Sequence, residues 1–154
     1  MMNSFSIKFM TIVGIFTFML SCGTSKDAGS NQLLSLEMET TGMGGMQQFT
    51  ASNAKMTEKT VNRSESSQEV TKSVSKSDLS QYWNKITGLV SDLNLDNFEN
   101  LESPTQDRLF DGARATVITL HFKDKTVTSA AFDEGNPPAE LKALYDYLVS
   151  VVNQ

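Results

Sequence analysis

The clearest pattern of apolar and polar positions lies toward the end of the chain, between Arg114 and Phe132. Side chains alternate between the two faces of a strand, so Ile118, Leu120 and Phe122 share one face. The opposite face carries Val117, Thr119 and His121. Lys123-Asp124-Lys125 predicts a turn, and the Thr- and Val-rich segment from Thr126 to Phe132 predicts the returning antiparallel strand.

An amphipathic helix is predicted directly after this hairpin. Asn136 is the predicted N-cap, and Pro137 and Pro138 suit the first helical positions, whose N-H groups have no partner within a helix. Apolar residues then recur at three- and four-residue spacing, which predicts one apolar helix face that covers the hairpin. These residues are Leu141, Leu144, Tyr145, Leu148, Val149 and Val152.

Shorter alternating segments precede this unit and predict further strands. Gln32 to Thr40 places Leu34, Leu36 and Met38 on one face, and the glycine-rich segment Thr41 to Gly45 predicts a turn. Weaker alternation predicts three more strands, at Met46 to Ser52, Lys55 to Asn62 and Glu69 to Val74.

A second helix is predicted from Asp78 to Asp92, with Ser77 as its N-cap. Its apolar face comprises Leu79, Tyr82, Trp83, Ile86, Leu89, Val90 and Leu93. A polar connection follows, and we expect apolar residues to pin it to the core: Leu95, Phe98, Leu101, Leu109 and Phe110. Strands, helix, hairpin and helix in this order predict an α+β fold, with two α-helices packed on one face of an antiparallel β-sheet.

The first 21 residues differ in character from the rest. Met1 to Ser21 holds one charged side chain, Lys8, and an apolar run that is too short for a membrane-spanning helix, which predicts a secretion signal. The signal ends in Met19-Leu20-Ser21-Cys22-Gly23, which resembles the lipobox of bacterial lipoproteins. That resemblance implies cleavage before Cys22 and acylation of its sulfur. A free reactive thiol or a disulfide-linked dimer is the alternative for the single cysteine of the chain.

The domain organisation follows from this boundary. Residues 1-21 are the predicted lipoprotein signal peptide, residues 22-31 the lipidated cysteine with a flexible tether, and residues 32-154 a single domain. The formal net charge of -5 argues against nucleic acid as a partner, so acyl chains on Cys22 would hold the protein to the bilayer. Because Gly23 is not aspartate, the resemblance to enteric lipoproteins implies the outer membrane of the cell envelope, on either its periplasmic or its surface side.

Three segments together resemble an uncharacterised family of small lipoproteins from Bacteroidota, especially flavobacteria. The segments are Leu101-Glu102-Ser103-Pro104-Thr105, Arg108-Leu109-Phe110-Asp111-Gly112-Ala113 and Phe132-Asp133-Glu134-Gly135-Asn136-Pro137-Pro138. Glu134 stands where members of that family carry histidine, and Thr41-Gly42 lacks the arginine of their early turn. In layout alone, the chain is also similar to emfourin-type inhibitors of thermolysin-like metalloproteases.

Side chains for catalysis or metal binding are sparse. The chain has one histidine, His121, and its one cysteine is assigned to lipid, so the sequence predicts neither a zinc site nor any cofactor. Asp133, Glu134 and Asn136 carry oxygen ligands that could hold calcium together with Asp111, although a solvated loop beside a helix explains them more simply.

The sequence therefore predicts a non-enzymatic protein-binding or structural lipoprotein, with protease inhibition as one version. The candidate binding loop consists of Gly42, Met43, Gly44, Gly45 and Met46. A structural joint is predicted at Asp111, Gly112, Asp133, Gly135, Asn136, Pro137 and Pro138. The alternatives are a small envelope hydrolase that uses His121 or the Asp111 and Asp133 region, and a passive envelope component.

Overall fold

The computed structural model describes residues 32-63, 68-72, 76-110 and 112-153. The predicted signal peptide, Cys22, the tether, Asp111 and the end of the strand predicted to reach Val74 lie outside these residues. None of the helices in these described ranges has the length and hydrophobicity of a membrane-spanning segment.

One antiparallel sheet runs through the described residues. Its strands are β1 (Leu33–Gly42), β2 (Gly45–Ser52), β3 (Met56–Asn62), β4 (Gln68–Lys72), β5 (Ala115–Phe122), β6 (Thr126–Thr128) and β7 (Phe132–Asp133). They lie in the order β4-β3-β2-β1-β5-β6, and β7 pairs with β5 off this path. The α-helices are α1 (Lys76–Ser91) and α2 (Lys142–Val152), and 3₁₀ helices cover Leu95–Asn100, Asp107–Leu109 and Ala139–Leu141. The returning strand of the predicted hairpin is thus divided into β6 and β7, which both pair with β5.

The core lies on the face of the sheet that carries the helices. Leu36 and Met38 of β1 pair with Leu120 and Ile118 of β5, and all four side chains are buried. They join residues of both helices in one apolar cluster, to which α2 contributes Leu144 and other members of its predicted apolar face. The predicted α+β fold is confirmed. Trp83, the largest apolar side chain of α1, packs at the margin of this cluster and is only partly buried.

In the gap between β6 and β7, the side chain of Ser129 takes the place of a backbone hydrogen-bond acceptor. The backbone N-H of Ile118 donates to the hydroxyl of Ser129 at 3.0 Å, and the N-H of Ser129 donates to the carbonyl of Ile118 at 2.9 Å. Ser129 is buried, so these bonds satisfy the backbone N-H and carbonyl of Ile118 in β5 across the gap.

Two predictions about apolar side chains were wrong. Leu33 is buried and Leu34 is 48% exposed, because the register of β1 against β5 shifts between Leu33 and Ser35. Leu109 and Phe110 do not pin the connection to the core, since they are 63% and 82% exposed. Phe98 and Leu101, which belong to the same predicted set, are buried and do hold this segment to the core.

The predicted helix starts also differ from the structure. Asn136 does not cap a helix: its N-H donates to the Asp133 carbonyl in a turn, and Pro138 precedes the 3₁₀ helix Ala139–Leu141. The α-helix proper begins only at Lys142, because the consecutive prolines keep the chain extended up to Pro138, whose ψ is 147°. Ser77 lies within the first turn of α1, which begins at Lys76.

Candidate binding surface

The candidate surface lies at the end of the sheet farthest from Gln32, where the described part of the chain begins. Strand β1 has ten residues, so its end at Gly42 lies about 30 Å from its start. We call this region the distal end. It contains the turn between β1 and β2, the 3₁₀ helix Asp107–Leu109 with Phe110, and the segment from Gly112 to Arg114, because Ala115 pairs with Thr41.

The predicted binding loop forms the tip of a tight hairpin. Gly42 pairs with Gly45, so only Met43 and Gly44 lie outside the strands. Gly45 has a φ of +144°, and a Cβ at this position would collide with the carbonyl oxygen of Val61 on the neighbouring strand. Glycine is therefore required at position 45 by both backbone conformation and space.

Three large apolar side chains point into solvent at the distal end. Met43 is 75% exposed, Leu109 63% and Phe110 82%. The hairpin tip and the loop that follows Phe110 are neighbours, since a Cβ on Gly112 would stand 3.3 Å from the methyl carbon of Met43. We call Met43, Leu109 and Phe110 the distal apolar patch.

All three arginines of the sequence lie at this same end. Arg63 donates to the carbonyl of Met43 at 3.4 Å, Arg108 belongs to the 3₁₀ helix beside Phe110, and Arg114 precedes β5. Arg108 and Arg114 are paired with the carboxylates of Asp133 and Glu134, so Arg63 is the guanidinium that stands beside the patch.

Arg114 fastens the hairpin to the turn after β7. Its guanidinium donates to the carbonyl of Thr40 at 3.2 Å and to the side-chain oxygen of Gln47 at 3.4 Å, and it pairs with Glu134 at 3.2 Å. The arginine side chain crosses directly over Gly42, where a Cβ would stand 2.6 Å from the Arg114 Cγ. Gly42 thus leaves the space that Arg114 occupies.

Asp133 is the most highly hydrogen-bonded member of the predicted structural joint. Its buried carboxylate accepts bonds from the Thr105 hydroxyl at 2.6 Å, from the backbone N-H groups of Asp107 and Arg108, and from the Arg108 guanidinium at 3.0 Å. Burial raises the pKa of this carboxyl, but the hydrogen bonds from Thr105, Arg108 and Asp107 outweigh it and hold the pKa well below its usual range. Asp133 is therefore an ionised anchor for the segment that presents Leu109 and Phe110.

The rest of the joint connects this anchor to α2. The N-H of Gly135 donates to the hydroxyl oxygen of Tyr145 at 2.8 Å, and the Tyr145 ring meets Phe132 edge to face at 5.5 Å. Burial is the main cause that raises the pKa of Tyr145 above its ordinary value. Pro137 and Pro138 are buried, Gly112 and Asn136 are exposed, and Asp111 lies outside the described residues.

His121 lies far from the distal end, on the polar face of the sheet. Its Nδ1 is 3.2 Å from the Thr126 hydroxyl, and its Nε2 is 3.5 Å from a carboxylate oxygen of Glu37. Nε2 is shielded from solvent but too far from Glu37 for a good hydrogen bond.

No group of three or more His, Cys, Asp or Glu side chains within the described ranges is arranged to hold a metal ion. Asp133 and Glu134 are adjacent in sequence but point to different partners, Arg108 and Arg114.

The sequence predicted the hairpin tip but missed Leu109, Phe110 and the arginines as parts of one surface. The signal that could have found them was the pair of large apolar residues directly before Asp111-Gly112, outside any strand or helix periodicity. A scan against protein-family models and a search among curated proteins found no match to this chain.

Proposed function

We propose that this protein is a lipid-anchored component of the bacterial cell envelope that binds another protein through its distal end. The observation that carries the proposal is the exposure of Met43, Leu109 and Phe110 on adjoining loops. Large apolar side chains exposed together are typical of interaction sites, since a stable monomer gains nothing from leaving them in water.

The residue types around the patch favour a protein as the partner. Methionine, phenylalanine and arginine are enriched in protein interfaces, where aromatic and arginine side chains supply much of the binding energy. All three types occur here, in Met43, Phe110 and Arg63. The complementary partner surface would hold an apolar pocket for Phe110, with an acidic group at its margin that faces Arg63.

The position of the patch agrees with attachment through Cys22. The predicted tether joins the domain at Gln32, and the patch lies about 30 Å away at the opposite end of β1. Acyl chains on Cys22 would therefore hold the protein to the bilayer by one end and leave the distal end accessible to a partner, at the outer membrane in our proposal.

The binding proposal is tested by affinity capture from detergent-solubilised envelopes with three forms of the full-length protein. A specific partner should be recovered with the wild type and with Leu34→Ser, which alters an exposed leucine at the other end of β1. It should be lost with the double variant Met43→Ser/Phe110→Ser. Recovery of the same proteins with all three forms would contradict the proposal.

The anchor is tested separately by mass spectrometry of the native protein. We expect cleavage before Cys22 and a mass increase from acyl chains on its sulfur, and we expect Cys22→Ser to leave the membrane fraction. An unmodified cysteine in a protein that still carries its signal peptide would contradict the proposed location at the membrane.

Protease inhibition is one version of this proposal, in which the partner is a thermolysin-like metalloprotease. The purified protein in excess should then slow such a protease, and Met43→Ser/Phe110→Ser should restore its activity. Full protease activity at excess wild-type protein would exclude this version without affecting other partners.

A small hydrolase is the second candidate, and one observation favours it. Thr126 places a hydroxyl 3.2 Å from Nδ1 of His121, and the Glu37 carboxylate lies 3.5 Å from Nε2, close to the imidazole but beyond a good hydrogen bond. If the protein hydrolyses esters, His121→Ala should abolish turnover. A panel of ester substrates with no turnover by the wild type would end this candidate.

A further inference from the structure

An open depression lies on the helix-free face of the sheet at the distal end. Thr41 of β1, Met46 of β2 and Val61 of β3 pair directly across neighbouring strands, so their side chains share one face. Thr40, the residue before Thr41, points to the opposite face, where it lies beside Tyr145 of α2. The depression therefore belongs to the face that the helices leave uncovered.

The lining of this depression is mostly apolar. Met43, Met46 and Val61 line it with their side chains, and Gly42 and Gly45 contribute backbone alone. Its volume of about 420 Å³ lies within the range of about 300–1,000 Å³ that is typical of ligand pockets. Because Met43 is also a member of the distal apolar patch, the depression extends that patch onto the sheet.

Arg63 is the cationic group of this depression. The hairpin tip fixes its position, since its backbone N-H donates to the Gly44 carbonyl at 3.2 Å and its guanidinium donates to the Met43 carbonyl at 3.4 Å. Arg63 is exposed, and no carboxylate pairs with it among the residues that the structure describes. A guanidinium has several N-H donors in a planar fork, so most of them stay available to a carboxylate from outside.

We propose that this depression binds the C-terminal residue of the partner protein, with an apolar side chain against Met46 and Val61 and the α-carboxylate on Arg63. The inference rests on the proposed function, because Met43 belongs to both surfaces. A cationic ligand would be repelled by Arg63, and a purely apolar ligand would leave the guanidinium without a partner.

A C-terminus fits this site better than an internal segment does. A C-terminal residue carries its side chain and its carboxylate on one Cα, so both groups reach one compact site. In an extended internal segment, adjacent side chains point to opposite faces, so an apolar residue and an acidic neighbour would not both face the depression. Capture of a C-terminal carboxylate is a recurring mode of peptide recognition.

The test is NMR titration of the ¹⁵N-labelled full-length protein with N-acetyl-leucine, which presents the two groups of a C-terminal residue. We expect saturable shifts at the amides of Met43, Met46 and Val61, with a Kd on the order of 1 mM for so small a ligand. N-acetyl-leucine methylamide lacks the carboxylate, and N-acetylglycine lacks the apolar side chain. Both should bind about tenfold more weakly.

A further ligand tests the assignment to a C-terminus. Acetyl-leucyl-alanyl-aspartyl-methylamide carries an apolar and an acidic side chain two positions apart, on the same face of an extended chain. It should bind no more tightly than N-acetyl-leucine. Tighter binding of this internal mimic would overturn the assignment.

Matched variants decide the role of Arg63. Arg63→Gln should weaken binding of N-acetyl-leucine about tenfold and leave binding of its methylamide unchanged, which a general loss of structure would not do. Lys59→Gln is the control, because Lys59 is another cation of β3 and does not line the depression. It should keep the wild-type affinity. Val61→Thr should weaken binding of both leucine ligands, because it places a hydroxyl in the apolar lining.

Absence of saturable binding, equal binding of N-acetyl-leucine and its methylamide, or full affinity in Arg63→Gln would overturn this inference. If a partner is nevertheless captured through Met43 and Phe110, the proposed function stands without it. Saturable, Arg63-dependent binding with no such partner captured would contradict the proposed function and uphold the chemistry of the depression.

Discussion

Arg108 binds Asp133 twice, through its backbone N-H at 3.1 Å and through its guanidinium at 3.0 Å. The two residues lie 25 positions apart and join the 3₁₀ helix Asp107–Leu109 to the edge strand β7. The bond to Thr105 adds a further hydroxyl donor at 2.6 Å. This attachment fixes the backbone from which Leu109 and Phe110 project.

Acid should remove the stabilisation that this attachment gives to the fold. Burial raises the pKa of Asp133, but hydrogen bonds to Thr105, Arg108 and Asp107 lower it well below the ordinary value of 3.8. Because the folded pKa lies below the unfolded one, the stabilisation is fully present above pH 3.8 and is lost as the pH falls through the folded pKa. Thermal melts from pH 7 to pH 2.5 should show a falling Tm.

Asp133→Asn should lower the Tm at pH 7 by about 5 °C or more and flatten this acid dependence. Asp146→Asn is the control, since Asp146 is an exposed carboxylate paired with Lys142 within α2. It should keep the wild-type slope. A wild-type slope in Asp133→Asn would contradict the assigned role of Asp133.

Gly45→Ala should destabilise the hairpin. The alanine would have to adopt the φ of +144° and would press its Cβ against the Val61 carbonyl. We expect a loss of about 2 kcal/mol in the free energy of unfolding, measured by chemical denaturation. Gly44→Ala is the matched control, because a Cβ there meets nothing within 4 Å. Equal stability of the two variants would refute the steric argument.

Ser129→Ala should weaken the sheet where β5 meets β6 and β7. The substitution leaves the buried N-H of Ile118 without its 3.0 Å acceptor, and an unsatisfied buried donor costs about 1–3 kcal/mol. The hydroxyl of Thr128, which is 3.1 Å from that of Thr119, is exposed. Thr128→Val should therefore change the unfolding free energy by less than about 0.5 kcal/mol. Faster amide hydrogen exchange at Ile118 in Ser129→Ala would show that the loss of stability arises from this hydrogen bond.

Phe110→Ser should alter the surface without altering the fold. Its side chain is 82% exposed, so the Tm should change by less than about 2 °C. Fluorescence of a dye that binds exposed apolar surface should decrease. The same substitution at Phe98, which is buried, should instead lower the Tm strongly. A large loss of Tm in Phe110→Ser would mean that this ring packs in solution.

The exposed patch shows why sequence periodicity could not identify the surface. Leu109 and Phe110 look like core residues in the sequence, yet the hydrogen bonds that the preceding residues donate to Asp133 hold them outward. Leu34 was misplaced for a similar reason, because a single register shift against β5 reverses the face of the residues before it. Neither the hydrogen bonds to Asp133 nor the register shift between β1 and β5 can be predicted from the residues next to Leu109, Phe110 or Leu34 in the sequence.

The sequence by itself determined the α+β class, both helices and the strands except for the division into β6 and β7, because alternation and helical spacing record which face of each element must leave water. The glycine-rich segment Thr41 to Gly45 also predicted the turn at the hairpin tip. Only the tertiary structure decided that Thr40 and Gln47 would share Arg114, that Asp133 would hold Arg108, and that Met43 would meet Gly112. These contacts join residues far apart in the chain, and long-range packing, not local propensity, sets them.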